Sequence, residues 1–465
     1  MPRHGKRANS GISRRTVVKG TAVGAAAGLA GCLGGGNGEG DEELSWMTFP
    51  QSDEFAEFFD QRNREFEEEY DVPVDDEVLS VEDYKTQIGN YLGTDQAPDV
   101  FVMWNGPGRI GDFVVTEEVV PVTEVVSDDF LSQYEDGLDV WKYTDQDLRT
   151  WTEDGGDIYG IPNYISGAPL WYNKNVLEEA GINPDDLQHR RDITWDEFVD
   201  VLETVRDETD HTPLSLGNEA GGHWAYMLTG LWIKLVGADA YLDAALGRDG
   251  TDFTDDLMVE AGHRCQELYE ADLINDDDLS LSEDEAESRF FQNEAAFITD
   301  GIWVRGLYNE YADPDELGPI GEGWDYMWYP TFPDEYPDGE NELFAFQVDG
   351  CAVTQEALDR DNGEAVGNYL EYVYSSEFVA EFVEETGLIS LHEDATELAD
   401  MPETTEAMAN DIENADNRAE KIDLATYPEP SDIQYEESQR LSLGDDPEDI
   451  MAEIQAAVER AVENL

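Results

Sequence analysis

Large aromatic residues stand where strands and turns are expected to end, and these are places where a side chain can meet a ligand. Trp46 and Trp104 each close a run of strand length, Tyr164 lies in a polar stretch, Trp224 begins a helical segment and Trp303 follows an Asp-Gly turn. Aromatic faces offer flat apolar surface, and neighbouring Asn, Gln, Ser and Asp side chains supply hydrogen bonds. That combination suits a sugar, whose ring has an apolar C–H face and a belt of hydroxyl groups. Core packing is the alternative for each ring taken singly.

No catalytic motif accompanies these rings. The sequence contains no Gly-x-Ser-x-Gly nucleophile turn, Walker loop, His-Glu-x-x-His zinc motif or dinucleotide-binding glycine pattern. Its six histidines form no pair with metal-ligand spacing, and the acidic loop at 334–341 lacks the spacing of a calcium loop. We therefore expect no catalytic residue, no metal and no cofactor. Because a pair of carboxylates can be chosen by chance from 109 acidic residues, an exported glycoside hydrolase stays an alternative.

The elements that must hold these aromatics alternate between strand and helix patterns. Residues 44–49 and 97–104 are predicted strands, and aromatic residues between positions 55 and 70 recur at helical spacing. Strands that alternate with helices at this spacing indicate an α/β fold with mainly parallel sheets and helices on both faces.

The second half of the chain continues this alternation. Thr194 and Glu197 stand at the two positions of a capping box that opens a helix. Residues 295–308 are predicted to form a strand, an Asp-Gly turn and a helix, and residues 364–384 one long amphipathic helix. The other predicted elements are strands at 213–216, 327–332 and 344–354 and helices at 84–92, 223–236 and 447–465.

The formal charge of the chain is −83, from 109 acidic and 26 basic residues. The acidic residues are spread along segments that also show apolar periodicity, and 40% of residues are hydrophobic, so a folded core is expected. Such a charge repels itself unless salt screens it, and the Debye length falls to about 3 Å at 1 M salt. We interpret the chain as adapted to very high salt, with a polycationic partner as the alternative. Nucleic acid is excluded as a partner.

The N-terminus has the pattern of an export signal. Arg14 and Arg15 precede an Ala- and Gly-rich apolar run, the arrangement of a twin-arginine signal. That run is shorter than the roughly 20 residues of a membrane-spanning helix. It ends in the sequence LAGC, which resembles a lipobox, so removal of residues 1–31 is predicted to leave Cys32 as a lipid-carrying N-terminus. The glycine-rich segment 32–43 then forms a flexible tether.

Five segments carry a resemblance to a known family. They are APDVFVMW (97–104), YGIPNYISGAPLWYNKNVLEEAGI (159–182), TWDEF (194–198), NEAAFITDGIWV (293–304) and YPTFP (329–333). With them the chain resembles the extracellular solute-binding proteins of ABC importers, in the group with maltodextrin- and other sugar-binding proteins, here as a haloarchaeal-type lipoprotein. The resemblance covers nearly all of the chain after the signal. It implies a two-lobed α/β fold of the type II periplasmic-binding-protein kind, with hinge crossings and a ligand cleft.

The resemblance also implies lobe boundaries and site residues. The first lobe would comprise residues 44–161 and 350–395, and the second residues 162–349 and 396–465. The ligand-binding residues expected along the cleft, including the aromatics at strand ends and the polar loop after the first strand, are Trp46, Gln51, Ser52, Trp104, Asn105, Tyr164, Ser166, Trp224 and Trp303.

The implied function is that of the substrate-binding component of an ABC transporter. A monomer would capture a sugar or oligosaccharide outside the cell, close its lobes around it and deliver it to permease subunits driven by an ATPase. The lipid anchor would be its only contact with the membrane. A glycerol phosphodiester or another polyol is the alternative ligand. A structural or adhesion protein is disfavoured, because the sequence shows neither internal repeats nor a Thr-rich stalk.

If the dispersed acidity is an adaptation to brine, the exported chain should unfold as salt falls from molar concentration to about 0.1 M, where the Debye length reaches about 10 Å and like charges repel across the surface. Circular dichroism over a salt series measures this loss of structure. An unchanged spectrum with a cooperative thermal transition at the lowest salt would contradict the halophile interpretation.

Overall fold

The computed structural model describes residues 43–49, 53–143, 156–248, 250–347, 349–393, 399 and 401–464. The predicted export signal with Arg14 and Arg15, the tether with Cys32, and the loop residues Gln51 and Ser52 lie outside these described residues.

The strands are β1 (Leu44–Thr48), β2 (Val74–Val78), β3 (Val100–Met103), β4 (Val119–Val120), β5 (Lys142–Tyr143), β6 (Asp157–Ile158), β7 (Ile161–Pro162), β8 (Ile165–Gly167), β9 (Leu170–Asn173), β10 (Thr212–Leu214), β11 (Ala295–Thr299), β12 (Trp324–Met327), β13 (Glu342–Gln347), β14 (Gly350–Thr354) and β15 (Asn417–Ala419). The helices are α1 (Asp53–Tyr70), α2 (Val81–Tyr91), α3 (Ile110–Val115), α4 (Asp128–Leu131), α5 (Lys174–Glu179), α6 (Trp195–Glu208), α7 (Gly222–Val236), α8 (Ala238–Ala245), α9 (Asp256–Glu270), α10 (Glu283–Phe291), α11 (Val304–Tyr311), α12 (Gln355–Asp359), α13 (Gly363–Val373), α14 (Ser376–Thr386), α15 (Glu403–Glu413), α16 (Ile422–Ala425), α17 (Pro428–Ser438) and α18 (Pro447–Glu463).

The first sheet has the strand order β2-β1-β3-β14-β4, and β7 also pairs with β14. Helices α1, α13 and α14 pack together on this side of the molecule. Aromatic rings fill the space between them: Phe58 of α1 lies edge-on to Phe378 of α14, with ring centroids 4.9 Å apart. The apolar spacing that predicted the first helix therefore serves to bury these rings against the sheet.

The second sheet has the order β10-β11-β9-β12, and a third joins β15, β13 and β8. The expectation of mainly parallel sheets is wrong for this chain. Strand β9 is antiparallel to both β11 and β12, and β14 is antiparallel to β3, β4 and β7. Both strands enter their sheets directly from another sheet rather than through a crossover helix, so they need not run parallel to their neighbours.

Two chain segments pass between the sheets side by side. The chain leaves the first sheet at β7 and enters the third at β8, and it returns from β13 to β14. Between them, the Asn163 N–H donates to the Asp349 carbonyl oxygen (2.9 Å) and Asn163 Nδ2 to Asp349 Oδ1 (2.6 Å). Tyr374 Oη also donates to the Ile161 carbonyl (3.0 Å). Asn163, which follows Gly-Ile-Pro, thus lies where hydrogen bonds hold the two crossing segments together.

Several predicted elements are confirmed and three differ. Thr194 and Glu197 form the capping box at the start of α6. The strand predicted at 327–332 lies earlier, at β12, and the strand at 344–354 is two strands, β13 and β14, in different sheets. The long helix predicted over 364–384 breaks into α13 and α14, because the Ser375 side chain accepts from the Phe378 N–H and opens a new helix.

Two further observations concern the cysteines and the possibility of a membrane-spanning helix. Cys265 and Cys351 are both buried free thiols. Within the described ranges, no helix combines the length and apolar character needed to cross a membrane.

Candidate ligand-binding site

Trp104 lies directly after β3, at the edge where the first sheet ends. Its ring is partly buried and stacks on Phe49, with centroids 4.6 Å apart and planes 21° from parallel. The Arg109 guanidinium carbon lies 5.9 Å from the centroid of the Trp104 ring. Arg109 Nη2 in turn lies 3.2 Å from Asp423 Oδ2, a carboxylate from the far end of the sequence.

Lys421 extends this series of contacts toward the second sheet. Its Nζ lies 3.7 Å from Asp423 Oδ1, 4.3 Å from the centroid of Tyr226 and 5.6 Å from that of Tyr435. The Tyr226 ring lies 6.5 Å from Trp303, which follows β11. We call the connected residues the cleft cluster: Trp104, Arg109, Tyr226, Trp303, Lys421 and Asp423.

The cleft cluster gathers side chains from all three main sheets. Trp104 and Arg109 follow β3 of the first sheet, and Trp303 follows β11 of the second. Lys421 and Asp423 follow β15 of the third sheet, and Tyr226 belongs to α7. In α/β folds, ligands gather beyond the ends of strands, which is where these residues converge.

Close backbone packing holds the two sides of the cluster together. Gly106 has φ +107°, a conformation that favours glycine, and a side chain there would collide with the Leu424 carbonyl. A side chain at Gly108 would meet the backbone of Tyr427 and Pro428. The turn Asn-Gly-Pro-Gly after β3 therefore needs its glycines to lie against the start of α17.

Asn105 and Glu420 form a buried polar pair inside this contact. Asn105 Nδ2 donates to Glu420 Oε1 at 2.6 Å, and both residues are buried. Burial raises the pKa of the Glu420 carboxyl to about 8, although the Asn105 hydrogen bond and the charge of Arg418 act to lower it. Asn105 Oδ1 and Glu420 Oε2 are buried and make no hydrogen bond within the described residues. The pair thus retains hydrogen-bonding capacity that a hydroxylated ligand can use.

Opposite charges in the cleft cluster stabilise each other's ionised forms. Burial raises the pKa of Asp423, but the charges of Lys421 and Arg109 outweigh it and leave the pKa lowered. Burial acts to lower the pKa of Lys421. Nearby groups, Asp423 above all, outweigh burial and leave the pKa raised. Both groups are therefore ionised at neutral pH.

A second polar cluster lies next to Tyr226 and resembles a metal site by distance alone. One ligand-type atom each from His223, Glu287 and Asp300 falls within 4.8 Å of the others, and all three residues are buried. His223 Nδ1 accepts the Gly217 N–H at 2.8 Å, so Nε2 of the neutral ring carries the proton and neither nitrogen offers a free lone pair. Burial lowers the pKa of His223 to about 4, which keeps the ring neutral. We therefore assign no metal to this cluster.

Two of the predicted site residues lie in the core. Trp46 is 1% exposed and packs against Phe59 and Tyr369, with centroids 5.0 and 5.9 Å away. Trp224 is fully buried, and its Nε1 donates to Ser442 Oγ at 2.7 Å. Neither indole presents surface to a ligand in this structure, so we leave both out of the proposed contacts.

Two further predicted site residues, Tyr164 and Ser166, are also buried. Ser166 Oγ accepts the Ile302 N–H at 2.8 Å and donates to the Gly167 carbonyl, which fixes the turn that presents Trp303. The Tyr164 hydroxyl makes no hydrogen bond within the described residues. Ser166 thus acts through the backbone beside Trp303, and Tyr164 presents no surface to a ligand in this structure.

Sequence reasoning missed Arg109, Tyr226, Glu420, Lys421 and Asp423. Arg109 directly follows the Asn-Gly-Pro-Gly sequence after Trp104, so its position near a predicted site residue was an available signal. The other four join the site only because β15 and α7 pack beside β13. No local pattern in the sequence marks them.

Replacing Glu420 by Gln tests the buried carboxyl. The pKa of Glu420 rises from 4.5 to about 8 on folding, so between these values the folded chain binds more protons than the unfolded chain, and the free energy of unfolding falls as pH rises. Glu420→Gln keeps the Asn105 contact but cannot titrate. Relative to this variant, the wild type should lose on the order of a few kcal/mol of stability from about pH 5 to about pH 8. Denaturant unfolding in molar salt measures the difference, and parallel pH profiles for the two proteins would contradict it.

The chain is similar in sequence to known sugar-binding proteins. A lactose-binding protein of Rhizobium radiobacter is 26% identical over 218 residues, covering 42% of this chain and 47% of that protein. A xylose/arabinose-binding protein, XacG, of Haloferax volcanii is 26% identical over 196 residues, covering 41% of this chain and 37% of that protein. The matches thus span less than half the length of these two relatives.

The fold agrees with solved structures over almost its whole length. A chitin oligosaccharide binding protein superposes with a TM-score of 0.74 at 20% identity, over 91% of this chain and 99% of that one. The mixed α/β architecture is the two-lobed, type II periplasmic-binding fold. The model of the bacterial extracellular solute-binding protein family matches residues 49–378. The chain belongs to this family of extracellular solute-binding proteins.

Proposed function

We propose that the chain is the substrate-binding component of an ABC transporter and captures a sugar or oligosaccharide at the cleft cluster. The observation that carries this proposal is the convergence of Trp104, Tyr226 and Trp303, from separate parts of the fold, beside buried polar atoms that make no hydrogen bond within the described part of the chain. Aromatic faces bind the C–H face of a sugar ring, and unpartnered buried oxygens reward a ligand that brings hydroxyl groups.

Lobe closure would couple binding to transport. The proposed lobes are residues 44–161 with 350–395 and residues 162–349 with 396–465, joined where Asn163 binds Asp349. A ligand that touches Trp104 in one lobe and Tyr226 in the other favours the closed arrangement, because it makes both contacts only there. The closed form would then be the one that the permease subunits and their ATPase recognise.

The relatives support a sugar as the ligand. Those described above are named for lactose, for xylose and arabinose, and for a chitin oligosaccharide, and all are binding proteins. We propose the same for this chain, with no catalytic step, metal or cofactor, and with a single chain as the working unit.

We also propose that the protein works on the outer face of the cell membrane, exported through Arg14-Arg15 and held by a lipid on Cys32. Cys32→Ser should leave export intact and release the protein into the medium, because the lipid is its membrane contact. Arg14→Lys with Arg15→Lys should instead retain the precursor inside the cell. Immunoblots of membrane, cytosol and medium separate these cases. Firm membrane attachment of the Cys32→Ser protein would favour a spanning helix before Cys32.

Trp303→Ala should weaken sugar binding about thirtyfold or more, since losing a buried aromatic contact costs on the order of 2 kcal/mol. Trp303→Phe, which keeps a ring beside Tyr226, should retain most of the affinity. Calorimetry in molar salt against a panel of mono- and oligosaccharides measures both variants.

Tyr269→Ala serves as the control for the loss of an aromatic ring elsewhere, because this ring is 36% exposed on α9. Unchanged affinity in Trp303→Ala, together with normal thermal unfolding, would assign Trp303 to packing alone. A solute panel without any binding would count against the function itself.

A further inference from the structure

The cleft cluster collects positive charge that is scarce elsewhere in the chain. Only 26 of the 465 residues are basic, against 109 acidic ones. Three of these basic side chains lie beside the cleft rings. Lys85 Nζ and the Arg109 guanidinium carbon are each 5.9 Å from the centroid of the Trp104 ring, and Lys421 Nζ is 4.3 Å from that of Tyr226. A composition this acidic makes such a gathering of cations a specific feature of the site.

The carboxyls near these cations include three whose pKa burial raises: Asp112 beside Arg109, Glu283 and Glu420. Asp423 lies between Arg109 and Lys421 and is ionised. Glu283 acts on Lys421, and burial raises its pKa. The pKa of Glu420 is raised to about 8, so this third carboxyl is largely neutral at pH 7.

Asp300, another nearby acid, is engaged in the turn before Trp303. It is 2% exposed, and its Oδ1 accepts the Gly301 N–H at 2.7 Å. Among the ion-paired groups, the side chains of Arg109 and Lys421 are 29% and 14% exposed, against 13% for Asp423.

Lys421 is held in place with donor capacity to spare. Its ammonium has three N–H donors, of which one serves the hydrogen bond to the Tyr435 hydroxyl, and the Asp423 carboxylate stays 3.7 Å away, beyond hydrogen-bond distance. The side chain is 14% exposed, positioned between the rings of Tyr226 and Tyr435. Arg109, 29% exposed, contacts Asp423 through one nitrogen only. Both cations can add a charge-assisted hydrogen bond to an incoming oxyanion.

We propose that the ligand is an anionic carbohydrate, a sugar with one carboxylate or phosphate group that Lys421 and Arg109 hold while Trp104 and Tyr226 pack against its ring. This inference rests on the proposed function and narrows its substrate class. A neutral sugar would use the rings and the Asn105–Glu420 pair but would leave the ammonium and the guanidinium sharing the carboxylate of Asp423. The net charge of −83 does not forbid an anionic ligand, because in molar salt repulsion from distant carboxylates is screened within about 3 Å.

Matched ligand pairs test the proposal in the wild-type protein. Calorimetry in molar salt would compare glucose with glucuronate and with glucose 6-phosphate, and galactose with galacturonate. At least one charged member should bind about tenfold or more tightly than its neutral counterpart, as expected for a charge-assisted contact. The carboxylate and phosphate arms identify which oxyanion the site takes.

Substitution of Lys421 and Arg109 tests whether these two cations cause the preference for a charged ligand. Lys421→Met and, independently, Arg109→Gln should each weaken binding of the charged ligand about tenfold more than they weaken binding of its neutral counterpart. Using two variants guards against loss of folding in either one. Arg64→Gln, at an exposed position on α1, is the control for the loss of a cation elsewhere.

The outcomes separate this proposal from the function on which it rests. Neutral sugars that bind as tightly as their charged counterparts, with equal losses in Lys421→Met, would overturn the anionic substrate class and leave sugar binding standing. A protein that is folded in molar salt and binds neither neutral nor charged sugars would overturn both.

Discussion

The site depends on the place where the chain passes between its sheets. Asn163 and Asp349 bind each other through backbone and side chain, so the outgoing and returning segments are held side by side. Strands β7 and β14 pair on one side of this junction and β8 and β13 on the other. The ends of β3, β11 and β15, which carry the cleft cluster, are consequently brought to one region. Together with the packing of Gly106 against Leu424, this junction fixes the relation of side chains more than 300 residues apart in sequence.

The charge balance of the site differs from that of the whole chain. The chain carries many more carboxylates than cations, yet its cleft cluster pairs Arg109 and Lys421 with one ionised acid, Asp423. Burial keeps the Glu420 carboxyl largely protonated at neutral pH by raising its pKa. A buried neutral carboxyl and an amide make a hydrogen-bonding pair without the cost of an unpaired charge. Protonation of a buried carboxyl is thus one way in which the fold limits repulsion between its many acids.

Local patterns in the sequence predicted most elements well and pointed to some residues of the proposed site. Trp104 and Trp303 were found because a strand end and an Asp-Gly turn mark their positions, and both belong to the cleft cluster. Trp46 and Trp224 looked equivalent by the same criterion, but α1, α13 and the Ser442 hydroxyl cover them. Whether an indole at a strand end faces a cleft or a helix depends on what packs there.

The features of the fold and site that local patterns did not predict depend on long-range packing. Asn105 and Glu420 are 315 positions apart, and no periodicity links them. The mixed sheets escaped prediction because β9 and β14 arise from crossings rather than from strand–helix–strand units. The break between α13 and α14 escaped it because the apolar pattern continues through Ser375, whose side chain caps the second helix.

A crystal structure of the exported chain, grown in molar salt with the tightest ligand of a sugar panel, would locate the ligand directly. We expect density for that ligand between Trp104 and Tyr226, with oxygens within about 3 Å of Lys421 Nζ or Asn105. Density instead in the surface depression beside α9 lined by His263, Gln266 and Glu270, with the cleft cluster unchanged, would contradict it.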